Sequence, residues 1–121
     1  MADTTPSITI IVSYAATHPT TGESLNFNKD YYLNNHVRDV IATWTPFGLR
    51  GYDFVEFTNP NPLTGQAPPY LYQMVGYFDT MENLNKAMAV GQESAQKDLP
   101  NFTNIAPVIW LGTKSVEKRL I

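Results

Sequence analysis

YLYQMVGYF, residues 70–78, sets Tyr70, Tyr72, Met74, Gly76 and Phe78 on one side of an extended chain and Leu71, Gln73, Val75 and Tyr77 on the other. Both sides are largely apolar. A strand with one face in water would carry polar residues at every second position, so this one calls for cover on both faces. SITIIVSY, residues 7–14, has the same character: Ile8, Ile10, Val12 and Tyr14 oppose Thr9, Ile11 and Ser13. IAPVIWL, residues 105–111, is apolar on both sides, and its Pro107 points to a sheet edge or a bulge.

Upstream of residue 70, LRGYDFVEF (49–57) reads as a further strand. TNPNPLTGQAPP lies between the two, a connection whose four prolines and one glycine exclude regular structure and which is long enough to be a ligand-covering flap. Two segments have helical period instead. From Lys29 to Trp44 the apolar residues Leu33, Val37, Val40, Ile41 and Trp44 share a face, with Asn28 as cap, Asp30 in the first turn, and Pro46 and Gly48 as stops. From Thr80 onward Met81, Leu84, Ala87, Met88 and Gly91 do the same, with Glu82 in the first turn. Thr17 to Phe27 reads as loop.

The resulting order, βαββαβ, is that of an α+β ferredoxin-like fold: one four-stranded antiparallel sheet with both helices on one face. Residues 1–121 are expected to form a single domain with its core in about 7–114. Two helices cover one face only, which leaves a second apolar face of roughly several hundred Å². At about 25 cal/mol per Å² its exposure is costly, and pairing two sheets face to face into a dimeric α/β barrel removes it. The sequence therefore predicts a homodimer.

The 121 residues are 43% apolar and 12% aromatic, enough for a substantial core. Eleven acidic against eight basic residues give a formal charge of −3. No basic run is longer than Glu117-Lys118-Arg119, which argues against nucleic acid as a partner. There is no cysteine, hence no disulfide, thiolate metal site or thiol nucleophile. With no apolar run of spanning length and no leader pattern, the expectation is a cytoplasmic protein without a membrane partner. Asn101-Phe102-Thr103 matches a glycosylation sequon, which carries no weight in that setting.

Chemistry concentrates in KDYYLNNHVRDV, residues 29–40, which holds one of only two histidines. Helical spacing sets Tyr32 beside His36 at i,i+4 and Asp39 beside it at i,i+3. That is a possible catalytic unit: His36 as proton carrier, Asp39 to orient the ring, Tyr32 to donate a hydrogen bond. The plainer alternative is a packed histidine on an amphipathic helix, with Arg38 and Asp39 as a solvated face. His18 lies in a Thr-Pro-Thr-Gly loop and reads as surface. No metal site is expected from two histidines without cysteine, and no cofactor from glycines that form neither GxGxxG nor a P-loop. Tyr14, Tyr72 and Trp110, among the remaining aromatics, are either core or the wall of a pocket for a flat apolar ligand.

FNKDYYLNNHV resembles the helix signature of the EthD family, in which an aromatic pair precedes a histidine, and LPNFTNIAPVIWLG is similar to that family's ending. The similarity runs over about residues 7–114, with one departure: Val37-Arg38-Asp39 stands where the family often has a proline after the histidine. The resemblance implies a dimeric α+β barrel with a pocket between sheet and helices lined by His36. It also implies a small hydrophobic metabolite as ligand, aromatic or polyketide-like and of the kind met in secondary metabolism. The family is named for a protein associated with an ether-degrading monooxygenase system and is often labelled oxidoreductase-related on that basis, and similar small barrels act without cofactors as polyketide cyclases, dehydratases, decarboxylases, isomerases and quinone-forming monooxygenases. Two functions are thus expected to compete. One is a cofactor-independent enzyme using His36, Tyr32 and Asp39, with Tyr14, Tyr72 and Trp110 around the substrate; the other is a non-catalytic binding or accessory protein of a monooxygenase system.

Overall fold

The computed structural model describes residues 8–114 and residue 120. Four strands, β1 (Ile8–Ala15), β2 (Leu49–Glu56), β3 (Tyr70–Phe78) and β4 (Val108–Thr113), form one sheet in the order β2-β3-β1-β4. Every neighbouring pair is antiparallel. A first helical segment connects β1 to β2 and a second, Met81–Asp98, connects β3 to β4, giving the α+β ferredoxin-like topology. Ser7, expected to open β1, lies outside the described residues, as do Glu117, Lys118 and Arg119.

Local chemistry fixes the ends of these elements. The Asn28 side chain accepts the Tyr31 N–H at 3.0 Å, and the Thr80 hydroxyl accepts the Asn83 N–H at 3.1 Å, so both helices start on a side-chain cap. The first helix closes at Gly48, whose φ of 96° lies in the left-handed region and whose missing Cβ would collide with the Asp79 carboxylate. The last strand begins at Val108, not at Ile105 as expected, because Thr103 Oγ1 both accepts the Ile105 N–H and donates to its carbonyl, holding a turn there. Pro107 thus sits just before an edge strand, where its missing N–H costs no ladder bond.

Strand register sorts the sheet into two faces, since directly paired residues point the same way. Phe54, Met74, Val12 and Ile109 form one row across all four strands on the helix side, next to Tyr52, Gly76, Ile10 and Leu111. Ile10, Phe78, Leu84 and Ala87 are fully buried, and Trp44 meets Phe78 at 5.5 Å between ring centres. The opposite face carries the rows Asp53, Val75, Ile11, Trp110 and Val55, Gln73, Ser13, Val108. Among the described residues no element covers it, and Trp110 is 66% exposed.

The proline-rich segment between β2 and β3 is not the flap its composition suggested. It folds back on itself through the Asn61 N–H to Gln66 carbonyl and Gly65 N–H to Asn61 carbonyl bonds, 2.8 and 2.7 Å. None of its residues lines the chamber between the sheet and the helices. No helix among the described residues is long and apolar enough to cross a membrane.

Candidate functional site

The first helix is not one regular α-helix. Lys29–Tyr31 is α-helical, Tyr32–His36 forms a π turn, and Val37–Trp44 resumes the α-helix. The Val37 N–H reaches the Tyr32 carbonyl, five residues back. One extra residue in this turn rotates the remainder of the helix about its axis, and π turns of this sort occur often at functional sites. The stripe expected from regular spacing is therefore altered. Tyr32, 1% exposed, is buried with His36, Val37 and Trp44, while Leu33, expected in the stripe, is 37% exposed. The Tyr32 and His36 rings stack at 5.7 Å and 22°, and Phe102 closes on the imidazole from the loop after the second helix at 4.6 Å.

The carboxylate that meets His36 is Asp98, not Asp39. Asp98 ends the second helix, and its Oδ2 lies 2.9 Å from His36 Nδ1. Asp39 faces outward, 70% exposed in its side chain, with the neighbouring Arg38 guanidinium at 3.5 Å. The π turn sets His36 towards the end of the other helix, so its carboxylate partner comes from a distant element and not from the next turn of its own. Asp98 Oδ1 in turn accepts the Tyr31 hydroxyl at 2.6 Å and the Asn101 amide at 2.9 Å. Partial burial would raise the Asp98 pKa, but the hydrogen bonds from Tyr31, Asn101 and His36 outweigh it and hold the carboxyl below the usual carboxylate range. An ionised acceptor at Nδ1 fixes the proton of neutral imidazole on that nitrogen and makes Nε2 the basic one. Among the described residues no side chain hydrogen-bonds Nε2.

His36 borders two spaces. One is an apolar chamber of about 100 Å³ between sheet and helices, floored by Val12, Met74 and Ile109 and walled by Tyr14, Tyr32 and Trp44. Gln92 and Gln96, one helical turn apart on the exposed side of the second helix, stand at its rim. The other is a polar cleft of about 240 Å³ between the helices, lined by Asp39, Thr43, Ser94, Lys97, Asp98 and Asn101. Gly91 borders both spaces. A Cβ there would stand 3.2 Å from Thr43 and 3.3 Å from the Trp44 indole nitrogen, so its absence lets the helices approach over the chamber. Burial, and then the neighbouring Tyr32 phenol, push the Tyr14 pKa far up; burial does the same for Tyr32 against a smaller opposing effect of Tyr14. Both remain neutral, and the two phenols share a hydrogen bond.

Of the aromatic residues expected around a ligand, Tyr14 lines the chamber. Tyr72 does not: it stacks on Phe27 at 4.3 Å and on Phe54 at 5.9 Å, a short way along the same face. Trp110 pairs with Ile11 on the uncovered face, on the far side of the sheet from His36. Strand alternation alone separates it from the chamber-lining Ile109. His18 is a loop residue whose Nδ1 accepts the Thr20 and Thr21 N–H groups. Among the described residues no three His, Asp or Glu side chains gather as metal ligands. Tyr31, Asp98, Asn101 and Phe102 are site residues that the sequence did not single out, although the last two sit in the PNFT run that carried part of the resemblance. Asn101 of the sequon donates its amide to Asp98.

No protein-family model matches the chain, and no curated protein does. The fold is shared with solved structures. An EthD-like protein from Ralstonia eutropha JMP134 superposes with a TM-score of 0.78 at 24% identity, covering 93% of this chain and 96% of that one. An EthD family protein from Bacillus halodurans C-125 gives 0.63 at 18% identity, covering 89% and 98%. SnoaB, a cofactor-independent oxygenase from Streptomyces nogalater, gives 0.57 at 9% identity, covering 94% and 96%. The chain is thus EthD-like in fold, and its chemistry has to be argued from its own residues.

Proposed function

We infer that the protein is a cofactor-independent enzyme in which His36 acts as general acid/base on a small hydrophobic metabolite, aromatic or polyketide-like, in a cyclisation, dehydration, isomerisation or oxidation. The observation that carries this reading is the 2.9 Å contact from His36 Nδ1 to an ionised Asp98, in a histidine that borders the chamber, so that Nε2 is its basic atom. Asp98, itself held by Tyr31 and Asn101, is the positioning residue that Asp39 was expected to be. Tyr32, stacked on the imidazole, is the hydrogen-bond donor beside it. The similarity to SnoaB supports the reading only in that one protein of this fold is described as an oxygenase needing no cofactor.

Two copies are further proposed to pair through the uncovered sheet face, where Ile11, Val75, Val108 and Trp110 form an apolar surface. The His36→Ala variant, offered a panel of small aromatic and polyketide-like compounds beside the wild type, tests the catalytic reading. Turnover is expected to fall by about 10² or more. Unchanged turnover in a folded variant overturns it. Saturable uptake by the wild type without product, indifferent to pH between about 5 and 8, would instead make the protein a carrier or accessory.

A further inference from the structure

The polar groups of the chamber wall share a property: none carries a fixed charge. Its lining contains no Asp, Glu, Lys or Arg, and its polar groups are the phenols of Tyr14 and Tyr32, the His36 imidazole, the Trp44 indole N–H and the amides of Gln92 and Gln96. A carboxylate or phosphate drawn inside would lose its water and meet no opposite charge. An uncharged guest meets no such barrier. Within this lining the two phenols are nearly fully buried, and their rings stand edge to face at 5.6 Å. Tyr32 also stacks on His36 and hydrogen-bonds Tyr14, so a base and a linked pair of phenols, with one O–H left to donate, share one wall.

We propose that the chamber takes an uncharged, flat carbonyl compound with an acidic C–H beside the carbonyl, and that Tyr14 and Tyr32 hold the oxyanion formed when His36 removes that proton. This rests on His36 being the base, and adds the substrate class and the role of the phenols. The Nε2 lone pair takes the proton. The C–H bonding pair becomes the carbon–carbon double bond of the enolate, and the carbonyl π pair moves onto oxygen, where a phenol O–H meets it. The imidazolium stays balanced by Asp98 and returns its proton to the enolate oxygen, giving the enol, or to another carbon, giving an isomer. No electron is gained or lost overall and no co-reactant is consumed. Phenols suit this task because burial raises their pKa and keeps them protonated at neutral pH. The polar cleft on the other side of His36, reaching Ser94, Lys97 and Asn101, gives the imidazole a route for exchanging protons with solvent.

Acetylacetone and acetoacetate make the test, being alike in size and differing in charge. An enol-rich solution of acetylacetone, diluted into buffer, relaxes to its keto form with a fall in near-ultraviolet absorbance. The wild type is expected to accelerate that relaxation in a saturable way and to leave the proton exchange at C2 of acetoacetate, followed by NMR in D2O, unchanged. Tyr14→Phe and Tyr32→Phe should each lower kcat by about 10- to 100-fold with little change in KM, and His36→Ala should abolish the acceleration. No acceleration by the folded wild type, or equal action on acetoacetate, overturns the substrate class. Acceleration that needs His36 but survives both phenylalanine variants overturns the oxyanion role while leaving the histidine as base. Turnover of some non-carbonyl compound that depends on His36 would sustain the acid/base reading and refute this one.

Discussion

The two faces of the sheet are built from similar residues and end in different states. On the helix side, Ile10, Val12, Met74 and Phe78 are buried beneath two helices, and the space those helices leave open is lined by phenols and an imidazole. On the other side, Ile11, Val75, Val108 and Trp110 are as apolar but have no described layer above them. Hydrophobicity alone therefore does not mark a functional face. The covered face is distinguished by a buried imidazole and two buried phenols; the uncovered face, whose polar side chains pair as Ser13–Gln73 and Tyr77–Asp53, has no layer above it among the described residues.

The largest loss is expected on the covered face, from removing volume under the histidine. Phe102, 3% exposed, contacts Tyr14, Phe27, Tyr31, Tyr32 and His36. Phe102→Ala is expected to cost about 3–5 kcal/mol in denaturant unfolding. A cost below about 1 kcal/mol would show that this aromatic cluster is not what holds the site.

Next comes the uncovered face. Trp110→Asp places a charge in the proposed dimer surface and should convert a dimer to a monomer in analytical ultracentrifugation, while ligand uptake in the chamber persists. Loss of the dimer also makes stability independent of protein concentration, which thermal unfolding at several concentrations would read. A dimer that withstands this substitution would mean that the pairing surface lies elsewhere.

The smallest effects at neutral pH come from titration of the phenols and the carboxylate on the covered side. The folded-state pKa values of Tyr14 and Tyr32 are raised, so their contribution is fully present below about pH 10, the ordinary phenol value, and is lost as pH rises beyond it. The Asp98 pKa is lowered, so its contribution is present above the ordinary carboxyl value of 3.8 and is lost as pH falls through the lower folded value. Chemical denaturation followed against pH should show both limbs. Tyr32→Phe should flatten the alkaline one and Asp98→Asn the acid one, whereas Trp110→Phe should leave both as they are.

Much of this was legible in the sequence because it depends on period. The alternation of residues 70–78 and 7–14 pointed to the two-faced sheet and the element order to the topology, both as found. His36 and Tyr32 were legible as neighbours because they share one helix. What could not be read was whatever depends on residues meeting from distant elements. Asp98 is 62 positions from His36 and looks from its surroundings like an ordinary helix-end acid. Asp39 was the carboxylate within reach of a local argument, and Trp110 was placed at the pocket because an aromatic residue in a two-sided strand does not declare its face. The π turn was hidden for another reason: Leu33 satisfies the regular helical period, so nothing in the pattern signalled that the period would be interrupted.

That turn makes chain length a functional variable. With one residue fewer between Tyr32 and Val37, the buried Tyr32, Val37 and Trp44 and the half-buried Val40 would fall on the unbroken spacing of an ordinary amphipathic helix. The added residue lets two consecutive side chains, His36 and Val37, both turn inward, one to Asp98 and one to the chamber wall. Selection for a stiffer protein would favour deleting a residue here, while selection for chemistry would retain it. With His36 as the base proposed above, a chain of this fold that has lost that reaction is expected to show a one-residue gap beside the histidine.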